Sequence, residues 1–195
     1  MQLAQPLQHL FAWPVDALLA AMPGEADTAW DVFSARQARF AVHNHTRSIN
    51  LVWTEGWNGA GEPEVLRLDY APAGLRDAAD ACALAIAAHF GGVVTRLILA
   101  ELRPGTTIPP HRDAGPLLTL VHRCHLPILT NPQVSFMVDE VDHHLLAGHV
   151  YELDNTRQHS VANAGPERRV HLICNVLPPT DQRRAYPKTA RSSAK

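Results

Sequence analysis

The chain has little lysine, few cysteines and no long apolar run, and each shortage narrows what it can be. Its two lysines, Lys188 and Lys195, both fall near the end, so the basic residues are nearly all arginine. Lys+Arg 17 against Asp+Glu 19 gives a formal net charge of -2, which offers no global field to draw in nucleic acid or an acidic membrane surface. Cys82, Cys124 and Cys174 are odd in number, far apart and without a C-x-x-C pair. That pattern excludes a disulfide framework and reads as reduced thiols on packed faces of a cytoplasmic protein. No stretch approaches the roughly 18 to 20 apolar residues of a membrane span. The first basic residue is Arg36 and the early apolar run is broken by Pro14 and Asp16, so no secretory signal is expected.

What is present suits one core: 195 residues, 46% of them hydrophobic and 18% charged. Residues 1–180 read as a single domain, with a helical and strand part at 1–92 and a core of strands at 93–177; 181–195, with Arg183, Arg184 and Arg191, reads as a flexible tail. Leu7, Leu10, Phe11, Val15, Leu18 and Leu19 recur at spacings of three and four, predicting one or two short helices interrupted at Pro14. Asp27 is placed to cap a second helix through Trp30 and Phe33 toward Phe40. Strands are expected from Phe40 to Trp53 and from Val65 to Tyr70, then an amphipathic helix from Pro72 to Phe90 with Gly91-Gly92 past its end. Beyond it the sequence predicts only strands and turns, at steps of roughly 8 to 12 residues. Mainly β architecture follows: a double-stranded β-helix of jelly-roll or cupin-like type with N-terminal helices beside it.

The chemistry concentrates between Ile108 and His125. His111 and Asp113 stand two apart, so in an extended strand they would project from one face after the Pro109-Pro110 bend. His159, on a later predicted strand after the Asp154-Asn155 turn, is the best third ligand. Two imidazoles and one carboxylate form the facial ligand set of non-haem Fe(II) oxygenases, which leaves positions open for a cosubstrate and O2. Alone, an H-x-D in a chain with 12 histidines is weak evidence, and His159 beside Arg157 and Gln158 also reads as a surface residue. His43, His45, His143 and His144 read as surface residues.

Two later strands strengthen the case. In R-V-H-L-I-C-N-V, Arg169, His171, Ile173 and Asn175 share one face, while Val170, Leu172, Cys174 and Val176 share the other, which would pack under helices. A buried guanidinium wants a carboxylate, and its planar fork suits Arg169 to the distal carboxylate of 2-oxoglutarate. Arg123 and His125 repeat the pattern on a face shared with Val121. Arg123 either completes that anion pocket or forms a structural salt bridge, with Glu152 or Asp154 as partner. Arg47 is placed to face the cleft and meet an acidic substrate.

The runs L-R-P-G-T-T-I-P-P-H-R-D, R-C-H-L-P-I, L-D-N-T-R-Q-H-S-V-A-N and R-R-V-H-L-I, in that order over about Thr95 to Val176, resemble the aspartyl/asparaginyl β-hydroxylase family of Fe(II)/2-oxoglutarate dioxygenases. T-R-S-I-N-L, Thr46 to Leu51, also looks like a family strand. The resemblance implies His111, Asp113 and His159 as iron ligands, Arg169 as the 2-oxoglutarate anchor, and Arg123 and His125 lining its pocket. It also implies hydroxylation of an unactivated C–H bond in an aspartyl or asparaginyl residue or a related amino acid. Animal members have glycine where Asp113 stands; this chain keeps the carboxylate, like bacterial members and the related free-proline hydroxylases. A free proline-like amino acid or a lipid acyl chain is the alternative substrate. The rival of another class is a cupin-like module that binds metal and a carboxylate without catalysis.

Overall fold

The computed structural model describes residues 3–32 and 45–180. The predicted helix beyond Phe33, His43, and the arginines of the tail lie outside them. Strands dominate: β1 (Leu7–Ala12), β2 (Thr46–Trp53), β3 (Leu66–Arg67), β4 (Val93–Leu102), β5 (Thr106–His111), β6 (His122–Leu129), β7 (Val134–Val138), β8 (Val141–His143), β9 (His149–Leu153), β10 (His159–Asn163) and β11 (Arg169–Leu177). Helices are α1 (Asp16–Ala21), α2 (Ala73–Phe90) and α3 (Pro116–Leu120), besides one 3-10 turn at Thr28–Trp30. One sheet runs β1-β9-β6-β11-β4-β2-β3 and the other β5-β10-β7-β8, with antiparallel neighbours throughout.

The large sheet is buried on both faces because β11 carries two apolar or semi-apolar sets in alternation. Val170, Leu172, Cys174 and Val176 pack with Leu97 and Leu99 of β4 against Leu75, Ala79, Cys82, Ala83 and Ile86 of α2. All three cysteines are unpaired and buried in that layer, where desolvation raises their thiol pKa values. On the opposite face Leu102 and Leu153 meet Val134, Phe136, Val138 and Val161, so the two sheets face each other over a second core. Gly91, at φ 62, ends α2 in the left-handed conformation that glycine adopts without strain. Gly92 serves a different need: a Cβ there would lie 2.4 Å from the Leu177 carbonyl oxygen.

Four expectations need correction. Residues 7–12 form a strand, not a helix, paired with β9; a register shift between His9 and Phe11 moves the apolar side chains from one face to the other. Leu7 therefore packs in the inter-sheet core and Leu10 and Phe11 under the helices, and that switch mimics a helical spacing. The strand expected to Tyr70 shrinks to Leu66–Arg67, and the Tyr70 hydroxyl instead accepts the Asn50 N–H at 2.5 Å. The opening of α3 by Gly115-Pro116 was not expected; Pro116 sits in its first turn, where no N–H is needed. Finally, Pro109 and Pro110 make no bend. They lie within β5, an edge strand whose missing donors cost nothing on the solvent side, at a register shift that precedes His111.

Candidate metal centre

His111 closes β5 and His159 opens β10, and the two are directly paired neighbours across the small sheet. Their rings lie 4.2 Å apart between centroids. Asp113 joins them from the loop after β5 rather than from the strand itself, so the convergence expected from i, i+2 alternation is achieved by other means. Its backbone N–H donates to the Asn155 carbonyl at 2.9 Å, and the Asn155 amide donates to its Oδ2 at 3.1 Å. One ligand atom from each of His111, Asp113 and His159 lies within 4.8 Å of the others.

Backbone carbonyls fix the ring tautomers. His111 Nδ1 lies 2.8 Å from the Pro109 carbonyl oxygen and His159 Nδ1 lies 2.9 Å from that of Arg157. A carbonyl only accepts, so each Nδ1 carries the proton and each Nε2 carries the lone pair, as a metal ligand requires. Burial pushes the His159 imidazole down to about 4, partly opposed by Asp113 and the Arg157 carbonyl, so the ring is neutral at pH 7. Burial alone would raise the Asp113 carboxyl. Arg123, His159, the Asn155 hydrogen bond and His111 together override it and hold the group well below the usual carboxylate range.

Inward from the cluster lies a cavity lined by His111, His159, Arg123, His125, Phe136 and Arg169, with Ala100 and Ile173 among its apolar walls. Arg169 is 2% exposed and has no carboxylate partner among the described residues. Its Nη2 donates to His171 Nδ1 at 2.6 Å, and its Nε has no partner. His125, kept neutral by burial and then by Arg123 and Arg169, has both ring nitrogens unpartnered. Buried, unsatisfied donors at the inner end of a cavity fit a carboxylate. The donor set of two Nε2 lone pairs and one ionised oxygen fits a divalent iron-type ion.

Arg123 takes neither Glu152 nor Asp154. Its Nε lies 3.2 Å from Asp113 Oδ2 and its Nη1 donates to Asn175 Oδ1 at 3.1 Å. Glu152 accepts from His122 at 2.6 Å, and Asp154 takes Arg157. Arg47 also departs from expectation. It is opposite Glu101, which is opposite Val170, so all three share the face turned away from Arg169. There its Nε donates to Glu101 at 2.7 Å beside Trp30, in a structural cluster that Arg168 joins. His45 and His144 are exposed and His143 half-buried, none of them with the cluster. Asn155, which orients Asp113, was not singled out in the sequence, although L-D-N-T contains it.

A sequence profile described as Aspartyl/Asparaginyl beta-hydroxylase matches residues 78–179, just over half of the chain. No curated protein sequence matches. Among solved structures, an oxidoreductase of the 2OG-Fe(II) oxygenase family from Burkholderia pseudomallei superposes with a TM-score of 0.55 at 16% identity, over 88% of this chain and 84% of that one. A prolyl-4-hydroxylase from Pseudomonas putida does so with a TM-score of 0.50 at 16% identity, over 90% and 94%. At such identities the likeness establishes the shared fold.

Proposed function

The chain belongs to the aspartyl/asparaginyl β-hydroxylase family, and on that premise we propose that it is an Fe(II)- and 2-oxoglutarate-dependent dioxygenase that hydroxylates an unactivated C–H bond. Its substrate is an aspartyl or asparaginyl residue or a related amino acid. One observation carries the reading: His111, Asp113 and His159 converge beside a cavity that is also lined by the buried Arg169, which has no carboxylate partner among the described residues.

In this reading the three residues hold iron, Arg169 binds the distal carboxylate of 2-oxoglutarate, and His125 offers a neutral hydrogen-bonding ring beside it. When bound, iron and 2-oxoglutarate supply the oxidising chemistry: O2 is consumed, 2-oxoglutarate becomes succinate and CO2, and one oxygen atom enters the C–H bond. The chain's own residues do the rest. The Pro109 and Arg157 carbonyls hold both imidazoles in the ligating tautomer. Arg123 and Asn155 keep Asp113 ionised and aimed. Phe136, Ile173 and Ala100 give the cavity apolar walls that limit water.

The test incubates purified protein with Fe(II), ascorbate and 2-oxoglutarate and measures succinate with and without candidate amino acids and peptides. Absence of both succinate and an anaerobic Fe(II)·2-oxoglutarate charge-transfer band sinks the reading; His111→Ala is expected to abolish the band.

A further inference from the structure

Another pair of histidines meets at the edge of the large sheet where β1 pairs with β9. His9 is opposite Tyr151 and Ala12 is opposite His149, with the register shift lying between His9 and Phe11. His149 and Tyr151 stand two apart on β9 and so share a face, and His9 lies on that face as the partner of Tyr151. His9 and His149 are thus diagonal neighbours across the two strands, and their side chains meet. His9 Nε2 lies 3.0 Å from His149 Nδ1, with ring centroids 5.1 Å apart.

Backbone contacts hold the frame of this pair. The Trp13 N–H donates to the Gly148 carbonyl at 2.8 Å just beyond the last ladder pair, and Gly148, at φ 78, turns the chain into β9. The Tyr151 ring stands edge-on to His9 at 5.5 Å, and its hydroxyl accepts from the Leu146 N–H at 3.2 Å. As a hydrogen bond the pair adds little, because His9 is exposed and His149 half-buried, and a neutral bond in reach of water replaces one that water would make. The spacing suits something else. Two nitrogens 3.0 Å apart, each about 2.0–2.1 Å from a common ion, subtend about 90° at it, the angle between neighbouring ligands in octahedral or square-planar coordination. The exposed His9 ring is free to turn toward that point.

The pair shares no residue with the candidate metal centre. Tyr151 is opposite His125 on β6, so His9 stands two strands beyond the ring that lines the cavity, about 10 Å across the sheet. Its chemistry differs as well. Two imidazoles without a carboxylate suit copper, nickel or zinc, and not the oxygen-seeking calcium or magnesium.

We propose that His9 and His149 form a second metal site, a two-imidazole chelate for a late first-row divalent ion of the Ni(II), Cu(II) and Zn(II) class, with water in the remaining positions. The ion takes the place of the proton that lies between the two nitrogens and joins β1 to β9 through their side chains. β1 has no other strand neighbour, so the chelate is a staple on the N-terminal strand. Leu3 and Pro6, which precede that strand and bond to Asp154, are held with it. The site stands independently of the oxygenase reading.

The test titrates the full chain, carrying no added histidine tag, with Ni(II) by calorimetry, in the parent and in His9→Gln, His149→Gln and His159→Ala, with metal-free melting curves showing each variant folded. The parent is expected to bind one more ion than His9→Gln or His149→Gln, because loss of either ring breaks the chelate and lowers affinity there at least about 10-fold. His159→Ala is expected to keep this site. Amide hydrogen exchange locates it. At about ten times the dissociation constant, Ni(II) suppresses the openings that part β1 from β9 about 10-fold, so exchange along β1 slows by that factor in the parent and in His159→Ala, and not in His9→Gln or His149→Gln. The proposal is overturned if either of those two variants binds as many ions as the parent with the same affinity, if Ni(II) leaves β1 exchange unchanged in the parent, or if the slowing persists without His9 and without His149.

Discussion

Replacing Asn155 with alanine tests whether the third ligand of the centre is held by its surroundings. Asn155 is 1% exposed and its amide donates twice, to Asp113 Oδ2 at 3.1 Å and to the Leu118 carbonyl at 2.9 Å. A hydrogen bond to a charged group is worth about 1.5–3 kcal/mol and a neutral one about 0.5–1.5 kcal/mol, so the substitution costs roughly 2–4 kcal/mol in all. The loss is not shared evenly. Leu118 loses a partner of its carbonyl, which weakens the fold whether or not metal is present. Asp113 keeps Arg123 as its remaining side-chain partner, so its carboxylate is drawn toward that guanidinium and away from the imidazoles. Metal affinity is therefore expected to fall about 10- to 100-fold, the usual effect of removing an outer partner of a ligand. Asn155→Asp is expected to be worse, because it sets a second negative charge against Asp113. Anaerobic calorimetric titration with Fe(II) or Co(II), with a melting curve for each variant, measures both effects. If metal affinity stays within about twofold of the parent while only the melting point drops, Asn155 supports the fold and not the ligand, and the argument fails.

Three other outcomes are expected. Arg169→Ala should weaken 2-oxoglutarate binding about 10- to 100-fold with iron affinity nearly unchanged, since the guanidinium lies at the inner end of the cavity; equal loss of both in the same titrations refutes its assigned place. The His159 ring titrates at about 4 when folded, below its ordinary value, so the unfolded chain binds more protons between about pH 6.5 and 4. Stability from this group is complete above pH 6.5 and is lost as pH falls to 4, by up to about 3 kcal/mol, and His159→Gln should flatten that part of a denaturation-versus-pH curve. Gly92→Ala forces a Cβ against the Leu177 carbonyl, and a loss of about 1–3 kcal/mol in chemical denaturation is expected; an unchanged midpoint would show that the α2–β4 junction yields freely.

Much of the fold was legible because β11 and α2 obey simple periods. Arg169 and Val170 fall on opposite faces by alternation alone, and Gly91 marks the end of α2 by its left-handed backbone conformation. Reading failed where a register shift interrupts a period. The shift in β1 turned a strand into an apparent helix, and the one in β5 hid two prolines within an edge strand. Residue types and spacing pointed to His111, Asp113 and His159, and the structure brings the three together. Arg47 was misread because a strand's sequence alternates without saying which face meets the cavity. That is decided by the partner strand, here by Glu101 and Val170. Asn155 escaped for a related reason: an asparagine after an aspartate reads as a turn, and its amide reveals a second role only when residues 42 positions earlier arrive beside it.

The turn from Asp154 to Arg157 draws these threads together. Asp154 is wholly buried and accepts from the backbone of Leu3 and Thr156, from the Thr156 hydroxyl and from Arg157, contacts that hold its carboxyl below the ordinary range although burial alone would raise it. So anchored, the three residues that follow it address the metal centre from one side. Asn155 grips Asp113 by main chain and side chain, the Thr156 carbonyl accepts from Arg112 at 2.9 Å, and the Arg157 carbonyl sets the His159 tautomer. Two ligands therefore depend on a turn that contributes no ligand itself, and Asp154 depends in turn on the N-terminal segment through Leu3 and through its own N–H to the Pro6 carbonyl. The strand at residues 7–12, which the sequence disguised as a helix, thus does more than cover an edge of the sheet. By pairing with β9 it brings residues 3–6 to the buried end of the turn, and so helps to set the geometry in which His159 and Asp113 face the same point.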